Sequence, residues 1–212
     1  MSKLISRSGS KTNDIKYFID LLPKDVKIVV EPFGGSFAVI RDVYSDDKYI
    51  KYVNDNDPNL AYIYDNPEEL IKGYEVWNKI NDAEMTAKEK ITKFMKTKMN
   101  KFLKEYILQS QVVRGTITNS KNLDNAINDI KFMNKINFTF GDAFKVIEKF
   151  RKNKNAFIFL DPPYLFSNNQ TYYSQTVDTD NTDYYIKLIN IFNDKLYQVS
   201  KKLSKHLIIT NY

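Results

Sequence analysis

The sequence predicts an α/β fold, with a mainly parallel sheet interrupted by a helical, basic insert. Three observations carry this reading. Four short apolar or β-branched runs, Lys27–Val30, Tyr49–Val53, Asn137–Phe140 and Ala156–Leu160, each lead into residues rich in Gly, Pro, Asn or Asp. Helical periodicity fills the segments around and between them. The length of 212 residues suits one such domain with a modest insertion.

Residues 14–22 (DIKYFIDLL) read as a short amphipathic helix closed by Pro23. Lys27–Val30 is a buried strand, followed by the Gly34-Gly35 turn. Tyr49–Val53 is the next strand and ends in the polar cluster Asn54-Asp55-Asn56-Asp57-Pro58. Thr86 and Glu89 have the spacing of a capping box. They open a periodic segment in which Ile91, Phe94, Met95, Phe102, Leu103 and Tyr106 share one face and most lysines the other. Beyond residue 135, Asn137–Phe140 leads into Gly141-Asp142, and Ala156–Leu160 into Asp161-Pro162-Pro163-Tyr164. A polar loop, Ser167–Thr182, precedes a long helix from Asp183 to Leu203, and His206–Thr210 reads as a last strand. The middle of the chain thus reads as helical, between strand-bearing segments on either side.

Composition narrows the chemistry. Cysteine is absent and His206 is the one histidine, which removes disulfides, thiolate zinc sites, a cysteine nucleophile, multi-histidine metal centres and a Ser-His-Asp triad. No metal is expected. No run of about 18 apolar residues occurs, and MSKLISRSGSK lacks the apolar core of a signal peptide. The expectation is a soluble intracellular protein, cytoplasmic or resident in a nucleoid or viral factory, and not secreted. Between Glu84 and Lys135 there are 11 basic and five acidic residues, so this stretch alone carries the chain's net charge of +6. Such a localised excess suits a polyanion, with Lys93, Lys96, Lys101 and Arg114 as candidate phosphate contacts. It also suits a solvated face of a core-packed helix.

Special residues stand at four strand ends, which in an open parallel sheet fall on the ligand-binding carboxyl edge. Gly34 and Gly35 permit close backbone approach to a ligand. Asp55, 20 residues beyond Gly35, suits an acid that accepts hydrogen bonds from ribose hydroxyls; it also reads as a turn residue before Pro58. Asp142 suits an adenine amino group, or a cap for the helix that begins near Phe144. The strongest signal is Asp161-Pro162-Pro163-Tyr164 after a five-residue apolar strand. Two prolines end the ladder, so that a carboxylate and a carbonyl can each accept one N–H of an exocyclic amine while a tyrosine stacks on the ring.

These elements, in this order, resemble the Dam-type (D12 class) DNA adenine-N6 methyltransferases. The family's EPF-x-G-[GS]-G-A-V resembles Glu31–Val39; its D-x-N-P-x-L resembles Asp55, Asp57, Pro58 and Leu60; its G-D-F resembles Gly141-Asp142 with Ala143 before Phe144. DPPY is intact, G-G-K resembles Gly9-Ser10-Lys11, and S-N resembles Thr210-Asn211. The resemblance implies a Rossmann-like fold, S-adenosyl-L-methionine as cofactor, a methyltransferase core at 1–61 and 137–212, and a helical target-recognition insert at 62–136. It implies cofactor contacts from Lys11, Glu31, Phe33, Gly35, Asp55, Asp142, Ala143 and Asp161, and catalysis by Asp161, Pro162 and Tyr164 on a flipped-out adenine in DNA. Phe37 replaces the third glycine of the cofactor loop and Arg7 an aromatic, and the family continues past strand five with two more strands. The edge of Leu207–Thr210 is thus expected to take a partner subunit or a second copy. These departures keep two alternatives in view: a catalytically degenerate nucleic-acid-binding or scaffold subunit of a methyltransferase complex, and an RNA adenine-N6 methyltransferase.

Overall fold

A computed structural model describes residues 4–5, 10–113, 116–162, 187, 188 and 191, with the backbone of the strands Leu196–Val199 and His206–Ile209. In chain order its elements are β1 (Ile28–Glu31), α1 (Ala38–Asp42), β2 (Ile50–Asp55), α2 (Pro58–Asp65), α3 (Pro67–Asn81), α4 (Ala87–Met95), α5 (Lys101–Gln111), β3 (Val112–Val113), β4 (Thr116–Ile117), α6 (Ala126–Met133), β5 (Ile136–Phe140), α7 (Ala143–Phe150), β6 (Ala156–Ile158), β7 (Leu196–Val199) and β8 (His206–Ile209). Packing divides the chain into two compact units, Met1–Gly9 with Asp57–Lys135, and Ser10–Asn56 with Ile136–Tyr212. α2 starts directly behind Asp57, whose side chain caps it by accepting the Asn59 N–H at 2.8 Å.

The unit of Ser10–Asn56 and Ile136–Tyr212 holds a four-stranded, wholly parallel sheet in the order β5-β2-β1-β6. The chain steps outward from β1 to β2 to β5, then crosses to β6 on the other side of β1. This Rossmann-like order creates a topological switch point between β1 and β6. Both faces of β1 and β6 are covered, which is why they read as continuous apolar stretches rather than alternating ones. Val30, Ala156, Ile158 and Leu160 pack with Phe144, Ile147 and Phe150 of α7. On the opposite parity, Phe157 lies against Tyr44 with ring centroids 5.8 Å apart, and Phe159 stacks on Phe18 at 5.7 Å.

The sheet is cross-linked at its carboxyl edge by Asn54, a buried residue one place before the end of β2. Its Nδ2 donates to the carbonyls of Pro32 and Gly141, each at 3.0 Å, and its Oδ1 accepts from Thr139 Oγ1 at 2.9 Å. One amide thus ties the exits of β1, β2 and β5.

Two expectations are corrected here. Residues 14–22 are not an α-helix: the described chain makes 3-10 turns at Lys11–Asn13, Ile15–Tyr17 and Ile19–Leu21. β-branched and aromatic residues are poor α-helix formers, and burial of Ile15, Phe18 and Leu22 decides the backbone path. The helix expected to run to Leu203 gives way to β7, which pairs antiparallel with β8. Non-local pairing of Leu196–Val199 with His206–Ile209 overrides the helical periodicity, and these two strands form their own sheet instead of extending the parallel one. β7 pairs along one side of β8, the strand whose edge was expected to take a partner.

In the other unit the expected capping box is present in full at Thr86 and Glu89. The periodic segment behind it is two helices, however, because Asn100 caps a new start by accepting the Phe102 N–H at 2.8 Å. Phe94, Leu103 and Tyr106 are buried as expected, whereas Met95 and Phe102 are exposed beside the break. α3 buries Leu70, Tyr74, Trp77 and Ile80, one helical stripe. Gly73 lies on this stripe because α5 passes close by: a Cβ there would stand 2.5 Å from Ile107 Cδ1.

Asn54→Ala should lower the unfolding free energy by about 2–3 kcal/mol, since it strands two carbonyls and a hydroxyl at the sheet edge. Urea titration measures this, and a loss within error of zero would show that Asn54 does not hold the edge.

Candidate functional site

The site is built from the unit that carries the parallel sheet, at the carboxyl ends of its strands. Behind β1 the chain must turn sharply to start α1. Gly34 donates its N–H to the Asn54 carbonyl at 2.7 Å, and a Cβ on it would lie 2.3 Å from Val53 Cγ1, so no other residue fits without displacement. Gly35 follows with φ +50° and donates its N–H to Asp55 Oδ2 at 2.8 Å. Asp55 therefore closes the glycine loop onto the end of β2. A Cβ added to Gly35 would meet nothing within 4 Å, so the loop presents an open backbone surface.

Phe37, at the position where a glycine was expected, adopts φ 40° and ψ 46°, the left-handed conformation that glycine favours. The strain, on the order of 1–2 kcal/mol for a residue with a Cβ, is offset by burial of its ring under the Arg41 guanidinium, 5.8 Å from the ring centroid. The phenyl side chain thus belongs to the core.

Glu31 ends β1 with its carboxyl group buried. Phe37 offers no side-chain cap for α1. Glu31 substitutes from a distance: its Oε1 accepts the Ile40 N–H at 2.6 Å. Burial is the largest influence on this carboxyl, and it pushes the pKa up to about 8 despite that hydrogen bond, with Asp161 adding repulsion and Arg41 opposing it.

Lys11 and Asp161 are brought together. Lys11, in the first 3-10 turn, is buried, and its Nζ lies 3.0 Å from Asp161 Oδ2. Asp161 is half-buried and Pro162 buried behind it. Phe33 is partly buried against the apolar core between the sheet and α7. Asp142 is exposed and caps α7 by accepting the Phe144 N–H at 2.9 Å, so the capping role is the one the geometry supplies; Ala143, buried, is the first residue of that helix. Gly141, with φ +134°, joins this turn to the site by donating its N–H to the Asp55 carbonyl at 3.0 Å. Tyr164, Pro163, Gly9, Arg7, Tyr172, Tyr173 and Thr210-Asn211 lie outside the described residues.

Sequence reasoning gave no role to the side chains of Asn54, Arg41, Asp42, Thr12, Ser10 or Ser36. Asn54 left a weak signal, as the first residue of the polar cluster that follows the strand. Arg41 and Asp42 left only a charged pair inside an apolar helix.

In the helical unit Lys93, Lys96 and Lys101 are exposed, while Arg114 lies outside the described residues. Two other lysines are committed internally: Lys90 Nζ donates to the Asn81 carbonyl at the end of α3, and Lys104 Nζ to the carbonyls of Met95 and Thr97 at 2.9 and 3.1 Å.

A family model described as D12 class N6 adenine-specific DNA methyltransferase matches residues 8–124, more than half of the chain. The match includes the turn of Lys11, the glycine loop, Asp55 and α2 to α5, and ends before Asp142 and Asp161. No curated protein gives a significant match.

The buried carboxyl yields a pH prediction. Folding holds the Glu31 proton up to about pH 8, whereas the unfolded chain releases it near 4.5. Its contribution to stability is therefore complete below the lower value and lost as pH rises through the upper one. Glu31→Gln, which keeps an acceptor for Ile40, should flatten the fall in melting temperature over that window. An unchanged pH profile would mean that Glu31 is ionised in the folded chain.

Proposed function

Because this chain belongs to the D12 class N6 adenine-specific DNA methyltransferase family, we propose that it methylates the N6 amine of adenine in DNA with S-adenosyl-L-methionine as donor. The observation that carries the reading is the Lys11–Asp161 pair at the carboxyl edge of a parallel sheet whose strand order reverses between β1 and β6. A half-buried carboxylate held by a buried ammonium is suited to chemistry on a polar group, since both charges are oriented before any substrate arrives.

The residues present fit the cofactor. The open backbone at Gly35 and the carboxylate of Asp55 beside it suit a nucleoside, with Asp55 accepting from ribose hydroxyls, and Phe33, Asp142 and Ala143 lining the base. Lys11, Glu31 and Asp161 complete the proposed binding set. The bound cofactor would supply an electrophilic methyl group on a sulfonium sulfur. Asp161 would accept one N–H of the target amine and the Pro162 carbonyl the other, turning the nitrogen lone pair outward; Tyr164 is proposed as the stacking platform for a flipped base. No covalent enzyme intermediate is required.

The helical unit is proposed to contact phosphates through Lys93, Lys96, Lys101 and Arg114. Support comes from the exposure of the three lysines, in contrast with Lys90 and Lys104, which cap helices. A second copy or another subunit is proposed to share the nucleic acid.

Calorimetry with S-adenosyl-L-methionine, followed by methyl-transfer assays on DNA and RNA, tests the reading. Asp161→Asn keeps an oxygen for Lys11 and should lower transfer at least about 100-fold while the protein stays folded. Transfer on RNA alone would move the substrate class, and absence of cofactor binding at millimolar concentration would favour a scaffold subunit. Replacing Lys93, Lys96 and Lys101 together with Gln should weaken binding to all DNA sequences and shrink the salt slope by up to roughly 0.9 per lost contact. An unchanged slope would make these lysines a solvated face only.

A further inference from the structure

Beside the pair of Lys11 and Asp161 lies a polar network, built on the buried Arg41 and reaching the exposed Asp42, that the chemistry above does not use. Arg41, buried in α1, donates from Nε and Nη2 to the two carboxylate oxygens of Asp42 at 2.8 and 3.0 Å. Nη1 donates to the Ser36 carbonyl at 3.2 Å, and Nη2 donates again to Thr12 Oγ1 at 2.7 Å. Thr12 Oγ1 in turn donates to Asp42 Oδ2 at 3.0 Å, closing a ring of three side chains. On the other side of Lys11, Ser10 Oγ accepts from Ser36 Oγ at 2.8 Å. Lys11 is therefore gripped through both chain neighbours, and both grips lead back to the glycine loop and α1.

Neutralising a buried guanidinium needs the bidentate carboxylate. Asp42 and the Ser36 carbonyl already provide for it. The bond to Thr12 does something else: it fastens a separate N-terminal segment, on which the next side chain is the lysine that holds Asp161. Only a hydroxyl can accept from Arg41 and donate to Asp42 from one atom, and only a guanidinium reaches three partners in one plane.

We propose that Arg41, acting through Thr12, is a positioning residue that sets Lys11 against Asp161 and so orients the carboxylate for the target amine. This rests on the methyltransferase reading. Asp161 is the group that touches substrate; Arg41 and Thr12 act on it only through Lys11.

Thr12→Val in the full chain is the test, because it keeps the side-chain shape and removes the hydroxyl. Two readouts are taken, with Thr12→Ser as the rescue. The first is the rate of reductive methylation of the Lys11 amine by formaldehyde, followed by mass spectrometry, which needs no activity. It should rise roughly tenfold in Thr12→Val, the equivalent of one charge-assisted hydrogen bond, and return to the wild-type rate in Thr12→Ser. The second is methyl transfer, where kcat should fall by a similar factor with cofactor Kd unchanged, and recover in Thr12→Ser. A Lys11 labelling rate equal to wild type in Thr12→Val overturns the proposal, as does a loss confined to cofactor affinity and melting temperature. If Thr12→Val fails to fold, Thr12→Ala is read in the same way. A wild type without transfer on DNA or RNA would defeat the methyltransferase reading alone, since the labelling of Lys11 still judges the positioning role.

Discussion

Parallel pairing of β1 with both of its neighbours is the constraint from which the rest of the sheet-bearing unit follows. Strands that run the same way must exit at the same edge, so Glu31, Asp55, Gly141 and the chain leading to Asp161 emerge together. A sheet edge of this kind is a row of polar backbone groups and turning loops, and it needs something to set the spacing of the exits. Asn54 does so with one side chain, because an amide has donors and an acceptor in a single plane. The glycine loop then has a fixed floor, and the absence of a Cβ at Gly34 is dictated by that floor.

Charge is handled at this edge by pairing and by neutralisation. Lys11 meets Asp161 and Arg41 meets Asp42, each cation against a carboxylate. The buried carboxyl of Glu31 accepts the Ile40 N–H, and burial keeps its proton in place up to about pH 8. An ionised Glu31 would stand near Asp161 and Asp42, so the neutral form is the one compatible with both ion pairs. In this form it still accepts the Ile40 N–H, which leaves α1 capped although Phe37 cannot cap it.

The helical unit treats its lysines in two ways. Some end helices: Lys90 and Lys104 place ammonium groups on the last carbonyls of α3 and α4, where the helix dipole is negative. Lys93, Lys96 and Lys101 project from the surface. The local excess of charge in the sequence is therefore partly structural; of the exposed lysines, Lys101 also lies 3.6 Å from the Glu105 carboxylate one turn on.

Much of this protein was legible from sequence because it depends on local order. Apolar runs ending in Gly, Pro or Asp marked β1, β2, β5 and β6, and the strand-end acids were found because a parallel sheet has only one edge on which to collect them. Thr86 and Glu89 announced α4 because a capping box is a four-residue event. What tertiary structure decided depends on partners far along the chain. The segment 14–22 took 3-10 turns because burial of Ile15, Phe18 and Leu22 outweighed weak helix propensity. Leu196–Val199 became a strand because His206–Ile209 pairs with it. Lys11 finds Asp161, and Arg41 finds Thr12, across 150 and 29 positions of sequence. Nothing in residue type or spacing encodes such a meeting, since a side chain's partner is fixed only when the sheet has set where the two loops stand.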